Sequence, residues 1–471
     1  MADDGVSRNR LKPNQVGTWG LVFQGIGGVG VMGLFFTIIS AAIFVDAAIP
    51  LVFIIGLIGG LLSANIVYQY AGRIASARGY YGYAADGLGN HAGAFTGYMY
   101  LLYTACNAGY IILFYLYGFS SSFSVLGISF PWWYGAIFMG IVIIVIGVLA
   151  ILGLRLGVRV MVAIGVSQVL IMLILSSVLT VHSVPSVEPF TPYVGWSPIF
   201  VAFVSLGFLS YSGYGSILPL AEEAKDPKKT IRKAILIIFA ISGVVYIFMT
   251  YSTVVSWGIG NMASFLTATA PPMVILSHRF LGFIGASIII LLLDISAFTL
   301  ANNFLTAGSR VFYALGRDGL LPKRFAVLHQ KRLTPVTSIV AEVSLASLLA
   351  IVIGVSLSAY YGVSVGITDA FIILGIITTL AALIVHLMSG ASLIASTVKK
   401  KFGKLVPMST TKLIVLPVVA LILYLVALYY SVLGISFPFT VAPIFFIIFM
   451  IADAVYVALN RRKIKVLPIT T

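Results

Sequence analysis

Residues 24–33 read QGIGGVGVMG, and these glycines are compatible with two very different folds. The motif G-I-G-G-V-G matches the glycine fingerprint of dinucleotide-binding folds, and Asp46 follows Gly25 by 21 residues, near where such folds place an acid for the ribose. That fold requires a strand before the glycines and a parallel sheet around them. Here the motif lies in a run from Pro13 to Val45 without Asp, Glu, Lys or Arg. The sequence therefore favours a membrane-embedded helix over a nucleotide site.

The composition of the chain supports the membrane location. Of its 471 residues, 60% are hydrophobic and 9% are charged, with a mean hydropathy of +1.10. So few charges cannot cover a soluble protein of this size. An apolar run of about 20 residues spans a bilayer as a helix. We predict an all-α polytopic membrane protein with twelve spans, at roughly 17–41, 48–70, 93–119, 133–153, 158–181, 197–221, 234–257, 280–307, 335–355, 367–391, 413–433 and 438–459.

The basic residues indicate the orientation of these spans. With the N-terminus placed inside, they fall in loops on the cytoplasmic side, except for Arg279 outside and Arg310 near the inner end of span eight. This is the positive-inside pattern. We therefore interpret the net charge of +15 as a topology signal, and we expect the basic residues to contact anionic lipid headgroups. We do not interpret it as a nucleic-acid-binding surface. We predict a multi-pass protein of the cell membrane with both termini in the cytoplasm, targeted by its first span.

The glycines of span one allow close helix packing or a broken helix. Five of them, at positions 25, 27, 28, 30 and 33, each weaken a helix by about 1 kcal/mol relative to alanine. Span six, GFLSYSGYGSILPLAEEAKDP, contains similar interruptions at Gly207, Gly213, Gly215 and Pro219. Interrupted helices in corresponding positions of inverted repeats indicate the binding site of a transporter. We therefore predict broken helices one and six, with repeats at 17–181 and 197–391 and two further spans over 413–459.

Four segments resemble the amino acid–polyamine–organocation (APC) transporter superfamily. They are GTWGLVFQGIG (17–27), SARGYYGYAADGLG (76–89), LAEEAKDPKKTIRKAI (220–235) and AGSRVFYALGRDGLLPKRFAVLHQKRLTPVTSI (307–339). The resemblance implies the LeuT-like fold, with two inverted five-helix repeats plus helices eleven and twelve. It also implies an amino acid or related amine as the substrate. The chain departs from the family where Gly215 stands in place of a common glutamate, and where span five lacks the lysine of some proton-coupled members.

A broken helix can bind a zwitterion without any charged side chain. The N-terminal end of its second half attracts a carboxylate, and carbonyls freed in span six accept from an ammonium group. The resemblance also implies that Tyr214, the aromatic residue after the span-six glycine, covers the substrate as a gate. The predicted binding residues in these two spans are Gly28, Gly30, Val31, Met32 and Gly33, and Ser210, Ser212, Gly213 and Tyr214. The break itself falls at Val31-Met32-Gly33 or, in a slipped frame, at Gly28-Val29-Gly30.

Further candidates lie in spans three and eight. Span three carries a polar and aromatic stripe at helical spacing, which either packs against neighbours or lines the pathway; its central members are Tyr103 and Asn107. In span eight, Thr299 and Asn303 are four residues apart and can face the break. Asp294 is an intramembrane carboxylate, which is functional by default. It can carry a coupling proton, attract a cationic substrate or hold a buried polar group.

The leading hypothesis is a secondary amino acid transporter that works by alternating access, as a proton symporter or an exchanger. A Na⁺ site between helices one and eight, implied by related folds, has no clear ligand set here. A solute sensor and a channel are weaker alternatives, because the tails are short and no ring of charged pore residues is evident. No nucleophile–base pair or metal cluster suggests an enzyme, and no cofactor is expected. We also predict that Glu222 and Glu223 pair with Arg310 at a cytoplasmic gate.

Overall fold

Twelve helices long and apolar enough to cross a membrane are present in the computed structural model, as the sequence predicted. The structure describes residues 11–268, 270–399, 410–460 and 464, without the side chains of residues 31, 32, 36, 117, 119–121 and 132. The first six spanning helices are α1 (Thr18–Val29 and Val31–Val45), α2 (Ile49–Ala71), α3 (Asn90–Ser124), α4 (Trp132–Leu152), α5 (Leu154–Val181) and α6 (Trp196–Ala202, Phe203–Gly207 and Leu209–Glu223). The other six are α7 (Pro227–Trp257), α8 (Pro272–Arg317, interrupted by a kink at Gly282), α9 (Val336–Tyr361), α10 (Val363–Val398), α11 (Thr411–Val415 and Leu416–Tyr430) and α12 (Val441–Leu459).

The glycine motif lies within a helix and not after a strand. Residues 18–29 are α-helical, and the only β pairing in the described residues is an isolated bridge between Val16 and Ala224. Asp46, which a nucleotide site would use for a ribose, lies just past the end of α1. It accepts a hydrogen bond from Tyr193 Oη at 3.1 Å, and that hydroxyl also accepts from the Ala47 N–H at 2.8 Å. Burial raises the pKa of Tyr193 to about 12, so its hydroxyl stays protonated at neutral pH.

The interruptions of α1 and α6 take different forms. In α1 the single residue Gly30 leaves the helix, with φ +78° and ψ +97°, and a second helical segment starts at Val31. This position agrees with the slipped frame of the sequence analysis. In α6 the backbone stays helical but changes type, from α to a π turn over Phe203–Gly207 and then to a 3₁₀ helix over Leu209–Glu223.

Several helices extend beyond the predicted spans. Helix α3 runs from Asn90 to Ser124, and α8 continues to Arg317, so Arg310 lies within it. The segment between α2 and α3, expected as a loop, contains a helix at Tyr80–Leu88 that packs against α3 and α10. Helix α3 is enclosed by α8, α9 and α10, while most residues of α4, α5 and α12 are not buried within the protein. The polar candidates therefore lie on inner helices, and the outer helices face lipid.

Candidate functional site

The break in α1 is stabilised by a tyrosine on another helix. Gly30 adopts a positive φ that residues with side chains rarely adopt. At the break the Gly30 carbonyl accepts from the Gly33 N–H at 3.1 Å instead of completing the α-helical pattern. The Tyr246 hydroxyl on α7 lies 3.1 Å from the carbonyl oxygens of both Val29 and Gly30 and can donate to either. Freed carbonyls at membrane depth are tolerated only when such partners exist. Tyr246 was not among the sequence candidates, although a hydroxyl in an apolar span is a signal that a partner is needed.

Two other glycines of the motifs bring α1 and α6 into backbone contact. A Cβ atom added at Gly213 would collide with the carbonyl of Gly28 and would lie 2.7 Å from the Val29 nitrogen. A Cβ atom at Gly28 would in turn collide with the Asn303 amide and lie 2.6 Å from the Ser216 hydroxyl. The glycines thus have two separate purposes, because Gly30 turns the chain while Gly28 and Gly213 allow close approach.

A cavity of about 480 Å³ lies beside the break, within the usual size range of small-molecule sites. Eight of the residues predicted from the sequence line it: Gly28, Gly30, Gly33, Tyr103, Asn107, Ser210, Ser212 and Gly213. The cavity extends past Thr37, Ser40 and Ser205 to Ser431 at the end of α11. Its lining, as far as the structure describes it, includes no Asp, Glu, Lys, Arg or His. Such a cavity suits a ligand without net charge.

Two buried polar atoms of residues that line the cavity have no hydrogen-bond partner in the described part of the chain. They are Asn107 Oδ1 on α3 and Thr378 Oγ1 on α10, and each residue is only 6% exposed. A buried polar group without a partner costs about 1–3 kcal/mol. Because both residues line the cavity, a turn of either side chain brings its unbonded atom to a ligand there. Thr378 was missed by the sequence analysis, because a threonine in an apolar span is usually bonded to its own helix.

The second segment of α1 begins at the cavity wall. The first N–H groups of a helix have no partner within the helix, which here concerns Val31 and Met32. The Gly33 N–H is bonded to the Gly30 carbonyl at 3.1 Å. A helix N-terminus of this kind attracts an anionic group. The side chains of Val31 and Met32, which the sequence analysis included, lie outside the described part of the structure.

The serines of α6 present acceptor atoms to the same cavity. Ser210 donates to the Leu206 carbonyl at 2.8 Å, and Ser212 donates to the Leu209 carbonyl at 2.7 Å. A hydroxyl that donates in this way keeps lone pairs for a further donor. The α6 wall can therefore accept from a cationic group through Ser210 and Ser212.

Tyr214, for which the family resemblance implied a gating role, does not line the cavity in this structure. Its hydroxyl lies 2.8 Å from Ser63 Oγ on α2, its ring packs on Phe239, and the residue is fully buried. The reason is the 3₁₀ geometry of this part of α6, in which residues three apart share a face. Ser210 and Gly213 lie on the cavity face, whereas Tyr214 lies on the next face and contacts α2 and α7.

The three candidates on α8 do not line the cavity as it stands. Asn303 donates to Ser216 Oγ at 2.7 Å and accepts from Gln24 at 2.8 Å, so it connects α8 to α6 and α1. Thr299 donates to the Ser296 carbonyl at 2.9 Å, and its side chain packs against Gly27. Asp294 is 7% exposed, and its Oδ1 atom has no hydrogen-bond partner among the described residues. The α8 residues that line the cavity are Leu300 and Phe304.

Ion pairs close the basic end of the bundle, which we define as the end carrying Arg78, Arg310 and Arg317. Arg310 Nε lies 2.9 Å from Glu223 Oε2, and both side chains are almost fully buried. This is the predicted pair, but Glu222 binds Arg317 instead, at 2.8 Å. The Arg317 alternative was missed because the predicted span eight ended at residue 307, ten residues before Arg317.

Two further contacts strengthen this closure. Arg78 Nε lies 2.8 Å from Asp318 Oδ2, and both side chains are buried. The chain before α1 is bound by its backbone, because the Gln15 N–H donates to the Glu223 carbonyl at 2.7 Å. Segments before α1, after α2, and at the ends of α6 and α8 are thereby joined at the basic end, while the cavity extends toward the opposite end.

The described residues contain no group of three or more His, Cys, Asp or Glu side chains that can hold a metal ion. What they do form is a twelve-helix membrane bundle with two interrupted helices beside an uncharged polar cavity. This arrangement is typical of a membrane transport protein.

The chain belongs to the amino acid permease family, because the family model described as "Amino acid permease" matches residues 20–466. The branched-chain amino acid permease BcaP of Bacillus subtilis is 23% identical over 68% of this chain and 71% of its own length. BcaP of Lactococcus lactis is 31% identical over 32% of this chain and 31% of its own length. The human large neutral amino acids transporter small subunit 2 is 29% identical over 32% of this chain and 28% of its own length. The family consists of transporters and not of enzymes.

Proposed function

We propose that this protein is a secondary transporter of neutral amino acids, and that it imports them together with protons by alternating access. The observation that carries the proposal is the uncharged cavity at the break of α1, in which Asn107 and Thr378 have unbonded polar atoms. The named relatives, which include permeases for branched-chain amino acids and transporters for large neutral amino acids, agree with a neutral substrate.

The substrate carboxylate binds to the N–H groups at the start of the second α1 segment, near Val31. Its ammonium group binds to the hydroxyl oxygens of Ser210 and Ser212 on α6. The zwitterion is then compensated by helix ends and hydroxyls, and no charged side chain is needed. Asn107 Oδ1 accepts a further hydrogen bond from the ammonium group, and the Thr378 hydroxyl donates one to the carboxylate.

The basic end of the bundle is the cytoplasmic end, because the positive-inside rule places Lys and Arg there. The protein lies in the plasma membrane, and because the number of spans is even, both termini are in the cytoplasm. In the described state the cavity is accessible from outside and the cytoplasmic ion pairs are formed. Release of the substrate inward requires that the Glu223–Arg310 and Arg78–Asp318 pairs separate, as the two inverted repeats (17–181 and 197–391) move against each other.

Uptake into proteoliposomes tests the proposal. Labelled neutral, cationic and anionic amino acids are offered with and without an inward proton gradient, and in parallel to vesicles preloaded with unlabelled substrate. We expect saturable uptake of neutral amino acids that increases with the gradient. Uptake that occurs only in preloaded vesicles would identify an exchanger. Binding without any uptake would identify a sensor and would overturn the proposed transport function.

The polar atoms in the cavity wall provide the first mutational prediction. Thr378→Val removes a hydroxyl with little change in shape, and Asn107→Leu removes the amide. We expect each variant to raise KM about tenfold, since a lost hydrogen bond to a bound ligand costs about 1–2 kcal/mol. Thr250→Val is the matched control, because the buried Thr250 hydroxyl donates to its own helix at 2.8 Å and does not line the cavity. Equal KM values for the Thr378 and Thr250 variants would contradict the assignment.

The coupling role of Asp294 gives a second prediction. If the Asp294 carboxyl carries the coupled proton, Asp294→Asn should abolish gradient-driven uptake but keep exchange between preloaded vesicles and the medium. Asp453→Asn is the control, because Asp453 on α12 is also buried, with both carboxyl oxygens unbonded in the described structure. Gradient-driven uptake that survives in Asp294→Asn would assign Asp294 a structural role.

A further inference from the structure

Another buried carboxyl group, that of Glu342, lies at the junction of α3, α8 and α9, outside the cavity wall. Glu342, in the second turn of α9, has no exposed surface. A Cβ atom at Gly308 on α8 would collide with the Glu342 carboxyl and would lie 2.6 Å from the Thr104 hydroxyl on α3. The Glu342 carboxyl therefore occupies the space that the missing Gly308 side chain leaves, next to Thr104.

No counter-ion accompanies this carboxyl in the described part of the chain. Neither of its oxygens has a hydrogen bond of good geometry. The titratable groups nearest to Glu342 are Tyr100 and Cys106 on α3, and neither is a cation. The cations and the other carboxyl group on the neighbouring elements act elsewhere: Arg310 and Arg317 on α8 are bound to Glu223 and Glu222, Lys323 and Arg324 are exposed, and Asp294 lies 14 residues before Gly308 on α8. His386 on α10 is bonded to Tyr80.

An ionised carboxylate without a partner is very costly to bury at this depth. A neutral carboxylic acid avoids most of this cost and supplies one O–H donor. The neighbourhood offers acceptors for such a donor, namely the Thr104 hydroxyl and the unbonded Tyr100 hydroxyl on α3. The surroundings of Glu342 thus favour its protonated form.

Glu342 is connected to the cavity through two short steps. Thr104 is next in sequence to Tyr103, which lines the cavity. Gly308 lies one helical turn from Phe304, which also lines it. The rings of Tyr103 and Phe304 pack edge to face, with centroids 5.2 Å apart. The Glu342 carboxyl therefore lies between α3 and α8, about one helical turn from the Tyr103–Phe304 ring pair in the cavity wall. At this place it influences how α3 is aligned against α8.

We propose that Glu342 binds a proton and that its neutral carboxyl positions α3 against α8, so that Tyr103 and Phe304 keep their places in the cavity wall. The part of this proposal that concerns substrate affinity rests on the proposed function. When Glu342 is ionised, its carboxylate requires water or a cation, and the close contact at Gly308 has no room for either. Ionisation therefore separates α3 from α8 and weakens substrate binding as the pH rises.

Substrate affinity as a function of pH tests this positioning role. It is measured as exchange in proteins that all carry Asp294→Asn, so that the proposed coupling carboxyl adds no pH dependence of its own. With Glu342 intact, KM should rise about tenfold per pH unit once Glu342 ionises, because only the protonated form binds. Glu342→Gln keeps the shape and the neutral state, so its KM should stay within about twofold of the low-pH value for intact Glu342 and should not rise at alkaline pH. Asp453→Asn, the matched control, should keep the alkaline rise. The same alkaline rise in Glu342→Gln would overturn the proposal.

Infrared spectroscopy tests proton binding without any need for uptake. The wild type at neutral pH should show the carbonyl stretching band of a protonated carboxylic acid. The band is assigned to Glu342 if it is lost in Glu342→Gln and persists in Asp294→Asn and Asp453→Asn. If Glu342→Gln does not fold, alkaline titration of the wild type should remove the band in step with the rise in KM. Absence of the band overturns the proton site. Saturable uptake by the wild type at low pH separately decides the proposed function.

Discussion

Gly213→Ala is expected to reduce transport roughly 100-fold, because about an ångström of displacement at a site built from backbone groups has an effect of this size. The added methyl group would collide with the Gly28 carbonyl and lie 2.7 Å from the Val29 nitrogen, all of them backbone atoms that cannot rotate away. Helices α1 and α6 would have to separate, at a cost of about 1–3 kcal/mol. The N–H groups at Val31 would then be displaced from the hydroxyls on α6.

The control for this variant is Gly147→Ala on α4. A Cβ atom at Gly147 meets nothing within 4 Å, so the variant should transport like the wild type and be slightly more stable. Uptake rates are compared per amount of folded protein, with the thermal midpoint measured in detergent. If Gly213→Ala transports as well as Gly147→Ala, the backbone contact between α1 and α6 is not required for transport.

Reversing either charge of the Glu223–Arg310 pair is expected to abolish transport and to destabilise the protein by about 3–5 kcal/mol. Both side chains are buried, at 2% and 1% exposure, so an unpaired or like-charged partner cannot be solvated. The double variant Glu223→Arg with Arg310→Glu restores opposite charges and should regain part of the stability and of the transport. The measurements are the thermal midpoint and the uptake rate of the two single variants and the double variant.

An exposed ion pair provides the contrast. Lys229 and Asp226 lie 3.3 Å apart with 80% and 59% of their side chains exposed, and Lys229→Glu should change stability by no more than about 1 kcal/mol. A double Glu223–Arg310 variant no better than the single variants would show that the pair does not act through charge complementarity. Loss of transport with full stability would assign the pair to the conformational change alone.

The sequence predicted the number of spans because hydropathy depends on local composition. Runs without charge, such as Pro13 to Val45, must be buried in lipid or protein. In lipid, a single segment can satisfy all its backbone hydrogen bonds only by forming a helix. The pairing of Glu223 with Arg310 was also predictable, since opposite charges at neighbouring helix ends near one membrane surface have few other partners. The end of α8 was harder to predict. Hydropathy alone ends this helix before the charged residues Arg310 and Arg317, whereas the helix in fact includes both.

The placement of the candidate side chains depended on helix geometry that local sequence does not reveal. The family resemblance implied a gate at Tyr214, the aromatic residue after the span-six glycine, but the 3₁₀ pitch of α6 directs this side chain toward Ser63 in the described structure. Thr378 and Tyr246 were not recognised because their importance depends on contacts between distant segments. Thr378 faces the cavity from α10, and Tyr246 reaches the break of α1 from α7.

The sequence by itself therefore determined the membrane class, the twelve spans, the two interrupted helices and the resemblance that the family match confirmed. Each of these depends on composition or on a contiguous motif. The tertiary structure alone decided that Gly30 makes the break, that Gly28 and Gly213 form the helix contact, and that Asn107 and Thr378 share one cavity. The physical reason is that these features depend on distances between helices that are far apart in the chain, and such distances are set by packing.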